Sequence, residues 1–136
     1  MEAANPTPKP LASGKLSGRW RLLYTTSPSI LGLNRPSLLR PAGPIYQYLD
    51  TDALTAKNQE PAPFFNSVTA ELTPQSASRV AVQFKQFKLL GLIPVIAPES
   101  ARGQLDITFL DDDLRLSRGD KGNLFVLTMD DRDARP

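Results

Sequence analysis

The chain is expected to fold as an all-β domain, a barrel or sandwich of about eight or nine short antiparallel strands. Three observations predict this. Apolar residues alternate at period two: Val80, Val82 and Phe84 share a face opposite Arg79, Ala81 and Gln83, and Leu105, Ile107 and Phe109 repeat the pattern. Turn residues recur at short intervals, and 13 prolines with 8 glycines in 136 residues break any long helix. No segment sustains a helical period.

Along the chain, residues 1–15 are polar and proline-rich and read as an extended arm, with the domain proper at 16–136. The first strand is 18–26, where Trp20, Leu22 and Tyr24 fall on one face at period two. Residues 27–43 form a loop interrupted by Pro28, Pro36 and Pro41, yet rich in Ile30, Leu31, Leu33, Leu38 and Leu39 beside Arg35 and Arg40. That is unusually apolar for a segment that should run over a wet surface. Strands follow at 45–49 and 53–59, with Asp50, Thr51 and Asp52 between them, and at 66–72 with Val68, Ala70 and Leu72 on one side. Residues 73–76 turn into the strand at 79–84, and further strands occupy 103–109, 114–117 and 123–128. The acidic run Asp111 to Asp113 and the Gly119-Asp120-Lys121-Gly122 tetrapeptide supply the last two turns, with Gly119 and Gly122 expected at positive φ.

Composition narrows the function. With 16 Lys+Arg against 14 Asp+Glu, the net charge of +2 gives no general case for nucleic acid. Cysteine and histidine are both absent. Thiolate nucleophiles, His-based acid–base chemistry, Ser–His triads and structural zinc are therefore excluded, and no enzyme activity is expected. No secretory signal stands at the start of the chain. The apolar run at 89–98 is about half the length a bilayer span requires and contains two prolines. The acidic runs at 111–113 and 130–133 lack the alternating ligands and bend glycine of a calcium loop, so no metal is expected.

Two longer stretches carry a resemblance. Residues 16–26 read LSGRWRLLYTT, and the segment from Gly103 reads GQLDITFLDDDLRLSRGDKGNLFVLTM. Together these resemble the two ends of the plastid lipid-associated protein (fibrillin) domain: a Gly-x-Trp strand with Leu-Leu-Tyr-Thr-Thr, then Asp-x-Asp-Leu-Arg-x-x-Arg-Gly and Phe-Val-Leu. GPIYQYLD at 43–50, RVAVQF at 79–84 and GLIP at 91–94 fall where that family has similar stretches. The IPVIAPESARGQLDIT stretch looks closest to the subgroup that includes harpin-binding proteins. Members usually carry a helical segment, and in plants a transit peptide, ahead of the Asn-Pro-Thr-Pro lead-in, here Asn5 to Pro8; no targeting peptide is visible in this chain.

The resemblance implies a lipocalin-like barrel without a cofactor. It implies a non-enzymatic protein that binds or coats lipids, prenylquinones or carotenoids at plastid thylakoids or plastoglobules, or at thylakoid membranes if cyanobacterial. In such barrels a tryptophan closes the bottom under a stacked arginine, which assigns Trp20 and Tyr24 with Arg115 or Arg118 to closing the barrel or meeting a ligand. Two apolar patches lie outside the clean alternation, one with Ile30, Leu31, Leu33, Leu38 and Leu39, the other with Leu92, Ile93 and Val95. Each is either core or a lipid-contacting portal rimmed by basic residues. Arg118-Gly119-Asp120 reads as a hairpin rather than an adhesion signal. The alternative function is a filled barrel that recruits photosynthetic or defence-related protein partners. The size of the inward-facing side chains separates the two.

Overall fold

The computed structural model describes residues 2–26, 43–61, 64–119 and 121–136. The described chain is almost entirely antiparallel sheet, with strands β1 Gly18–Thr25, β2 Tyr46–Asp50, β3 Thr55–Gln59, β4 Ser67–Pro74, β5 Arg79–Leu89, β6 Ile93–Ile96, β7 Arg102–Leu110, β8 Leu114–Gly119 and β9 Leu124–Asp131. They are ordered β4-β3-β2-β1-β9-β8-β7-β5-β6, and β4 also pairs with β5. Eight strands thus close a barrel, which leaves no open sheet edge within the ring.

The eleven-residue β5 makes both the closure and the one exception to it. Along one edge it pairs with β4. Along the other, residues 79–83 pair with β7 while residues 86–89 pair with β6. The β5–β6 hairpin is therefore an extension beyond the ring. Its turn is tight, with the Leu92 amide donating to the Leu89 carbonyl at 3.0 Å. Leu90 and Gly91 both have positive φ, 56° and 71°, the backbone of a primed hairpin turn.

Inside the ring, Trp20, Leu49, Ala56, Ala70, Leu72, Val80, Ile107, Leu110 and Leu127 form the core, with Leu16 joining from the arm. Two β-bulges override the period-two expectation. Leu23 has no partner opposite β9, so Tyr24 faces outward at 57% exposure instead of sharing the face of Trp20 and Leu22. Thr108 is bulged in the same way on β7, and Phe109 pairs with Leu116 on the outer face rather than following Leu105 and Ile107 inward.

Phe109 and Leu116 are nonetheless buried. The segment before β1 accounts for this. It is not extended but carries 3-10 turns at Glu2–Ala4 and Pro10–Ala12. Its buried Thr7 hydroxyl donates to the Leu110 carbonyl at 2.6 Å, and Asn5 Oδ1 accepts from the Leu110 amide at 3.0 Å. Arg118 reaches Glu2 at 3.1 Å, and the Leu11 amide bonds the Ala77 carbonyl in the β4–β5 turn. The arm thus wraps one end of the barrel and holds the Glu2 carboxyl below the usual carboxylate range through its bonds to Arg118 and Thr108.

Candidate functional site

An apolar cavity of about 230 Å³ runs through the barrel from this wrapped end toward the opposite one. Small residues create the space: Ala56, Ala70, Val68, Val82, Gly103 and Gly119 line it, while Phe84 and Phe125 narrow it. A Cβ at Gly119 would stand 3.4 Å from the Phe125 ring, an ordinary contact. The mouth lies where Ile45, Phe84 and the exposed Arg102 and Gln104 meet.

Trp20 is fully buried at the wrapped end, and its indole N–H donates to the Leu16 carbonyl at 2.8 Å. The preceding Gly18 has φ 140°, and a Cβ there would come within 2.9 Å of the Asp131 carbonyl oxygen. This close approach explains the glycine two residues before the tryptophan. Arg115 stacks over the indole with its guanidinium carbon 4.8 Å from the ring centroid. Arg118 does not share this site; it lies on the outer face with Glu2 and the Gly122 carbonyl.

Arg115 is fully buried and borders the cavity. Its Nη2 donates to Gln47 Oε1, and Gln47 Nε2 in turn donates to Asn58 Oδ1 at 3.1 Å. Its Nε and Nη1 have no hydrogen-bond partner among the described residues, nor does the buried hydroxyl of Ser117 two positions along β8. Loss of hydration pushes the Arg115 guanidinium down to about 9, which leaves it protonated at neutral pH. Sequence reasoning missed Gln47, Asn58 and Ser117. The parity of Ile45, Gln47 and Leu49 was the available signal, since it puts one amide among inward-facing apolar residues.

At the open end, the second apolar patch is exposed rather than core. Leu92 is 81% exposed and Ile96 84%, with Leu90, Ile93, Val95 and Phe65 also open to solvent. Lys88 and Arg102 flank them, while Lys85 is 3.6 Å from Glu71. A second recess of about 210 Å³ beside this hairpin shares Ile45, Asn58 and Val68 with the main cavity. The first patch, Ile30, Leu31, Leu33, Leu38 and Leu39, lies outside the described residues, as does Asp120 of the Arg-Gly-Asp tripeptide. Of the two glycines in that turn, Gly122 takes positive φ, at 77°, whereas Gly119 continues β8 without it.

The acidic runs serve turns, and Asp106 makes a cross-strand ion pair. Asp111 Oδ1 accepts from the amides of Asp113 and Leu114, Asp131 Oδ1 accepts from Asp133, and Asp106 pairs with Arg79 at 3.4 Å. Among the described residues no group of three or more such side chains is placed to hold a metal ion.

The PAP_fibrillin family model matches residues 1–94 and 92–128, two stretches that meet in the β5–β6 hairpin. The chain is 50% identical over 133 residues to "Probable plastid-lipid-associated protein 5, chloroplastic" of Arabidopsis thaliana, covering 96% of this chain and 56% of that protein. It is 30% identical to "Probable plastid-lipid-associated protein 3, chloroplastic" of Oryza sativa subsp. japonica, covering 93% and 49%. It is 32% identical to "Plastoglobulin-1, chloroplastic" of Pisum sativum, covering 93% and 51%. The chain thus spans about half the length of the curated relatives it matches. No solved structure matches.

Proposed function

Since the chain belongs to the PAP_fibrillin family, we propose that it is a non-enzymatic plastid lipid-associated barrel that takes the apolar part of a lipid into its cavity and rests its open end on a lipid surface. The observation that carries this reading is the apolar cavity of about 230 Å³. Its volume is just below the roughly 300–1,000 Å³ of ordinary small-molecule sites. A single acyl or prenyl tail fits better than a whole carotenoid, and a long tail would leave through the mouth toward the exposed hairpin. Burial of the tail supplies affinity at about 25 cal/mol per Å² of apolar area.

The hairpin supports contact with a lipid surface. Leucine at position 90 adopts positive φ, where asparagine or glycine is the comfortable residue, and it does so while exposed. A soluble surface has no use for that combination, whereas an apolar tip flanked by Lys88 and Arg102 suits an anionic lipid interface. The plastoglobule or thylakoid is the location this reading favours, from the chloroplastic relatives and the plastoglobulin among them.

Native mass spectrometry of the purified protein, followed by solvent extraction, tests the cavity. A stoichiometric fatty acid, prenylquinone or similar single-tailed lipid is the expected result. An apo mass that stays unshifted after incubation with such lipids would overturn the cavity reading and favour protein recruitment by a filled barrel.

A further inference from the structure

We propose that the wrapped end of the cavity is an anion site, so that the lipid enters head first and sets a single carboxylate against the Arg115 guanidinium. This rests on the cavity reading above and names the chemical class of its ligand: a free fatty acid or another single-tailed carboxylic acid.

Four features converge on it. Arg115 carries its charge into a fully buried position at the floor of an apolar space, with Nε and Nη1 unmatched by any described protein group. A buried charge without a partner is costly, and an incoming counter-ion offsets that cost. No aspartate or glutamate is among the described residues lining the cavity, so the protein supplies no carboxylate of its own there. The Ser117 hydroxyl, two positions on in the inward-facing row of β8, is buried as well and has no partner among the described residues, so a neutral donor accompanies the charge on the same row. Finally, stacking on Trp20 uses the face of the guanidinium and leaves its edge for an anion.

The charge count selects the head group. Of the three cationic residues lining the cavity, Arg102 is exposed at the mouth and Lys57 lies over the Tyr48 ring, with its ammonium 5.6 Å from the centroid. One buried cation balances a monoanionic carboxylate and falls short of a phosphate dianion. Gln47, held between Arg115 and Asn58, fixes the guanidinium in place and acts as a positioning residue.

The test compares ligands of one tail length on the full chain, below their micellar concentrations: dodecanoate, methyl dodecanoate, dodecanol and dodecyl phosphate. Binding is followed by calorimetry and by the emission of Trp20, the only tryptophan. Dodecanoate is expected to bind at least tenfold more tightly than the ester or the alcohol and to perturb Trp20. Arg115→Met should erase that preference while ester binding persists. Equal binding of dodecanoate, ester and alcohol would overturn the anion site and leave the cavity reading standing. Tighter binding of dodecyl phosphate would overturn the choice of carboxylate. Binding of none of the four would remove the cavity reading and the anion site together. The wild-type comparison decides the matter even if Arg115→Met does not fold.

Discussion

At the scale of single residues, Trp20 and Arg115 share a contact but differ in what they contribute. Trp20 fills the wrapped end of the barrel and satisfies its indole N–H on Leu16. Trp20→Ala leaves a large void and should lower the unfolding free energy by about 3–5 kcal/mol, read by urea denaturation with far-UV circular dichroism. Arg115 is a buried charge whose Nε and Nη1 lack partners among the described residues, and an apolar side chain of similar length removes a desolvation cost. Arg115→Met should therefore unfold at an equal or higher urea concentration than wild type. A loss of several kcal/mol would instead make Arg115 a structural latch. The sequence made both residues candidates through the Gly-x-Trp and Leu-Arg-x-x-Arg-Gly motifs, but left Arg115 and Arg118 equivalent. Only the pleat of β8 separates them, because residues three apart on a strand point to opposite faces.

At the scale of elements, strand identity was legible and facing was not always so. The alternation located the ring strands to within a few residues, but bulges at Leu23 and Thr108 reversed the side on which Tyr24 and Phe109 lie. A bulge inserts one residue without altering composition, so a period-two reading passes through it unnoticed. The β5–β6 hairpin is the other case. Its apolar run looked equally like core or portal, and its protrusion beyond the ring leaves both of its faces exposed. If that tip enters lipid, Leu92→Glu with Ile96→Glu should weaken binding to anionic liposomes at least tenfold, at roughly 1.5–3 kcal/mol per apolar side chain withheld. Co-sedimentation measures this. The melting temperature should hardly move, since the two side chains are 81% and 84% exposed.

At the scale of the whole molecule, the cavity opens at one end of the barrel and the arm wraps the other. Removing residues 2–12 should uncover Phe109 and Leu116 and cost about 3 kcal/mol or more in chemical denaturation, while the strand signal in circular dichroism persists. The Glu2–Arg118 bond gives the wrapping a pH sign. A carboxyl held below its usual range stabilises above that range, and this contribution fades as the pH falls through the lowered value. The sequence by itself determined the all-β class, the strands of the ring, the absence of thiol and imidazole chemistry, and the family. Each follows from local alternation, composition or motif. The tertiary structure alone decided that β4 meets β5 to close the ring, that the arm packs instead of trailing, and that Arg115 borders a cavity bounded by Gln47 from across the barrel. Those outcomes depend on which distant strands become neighbours, and period-two patterning is blind to them because it records the two faces of a strand but not what each face meets.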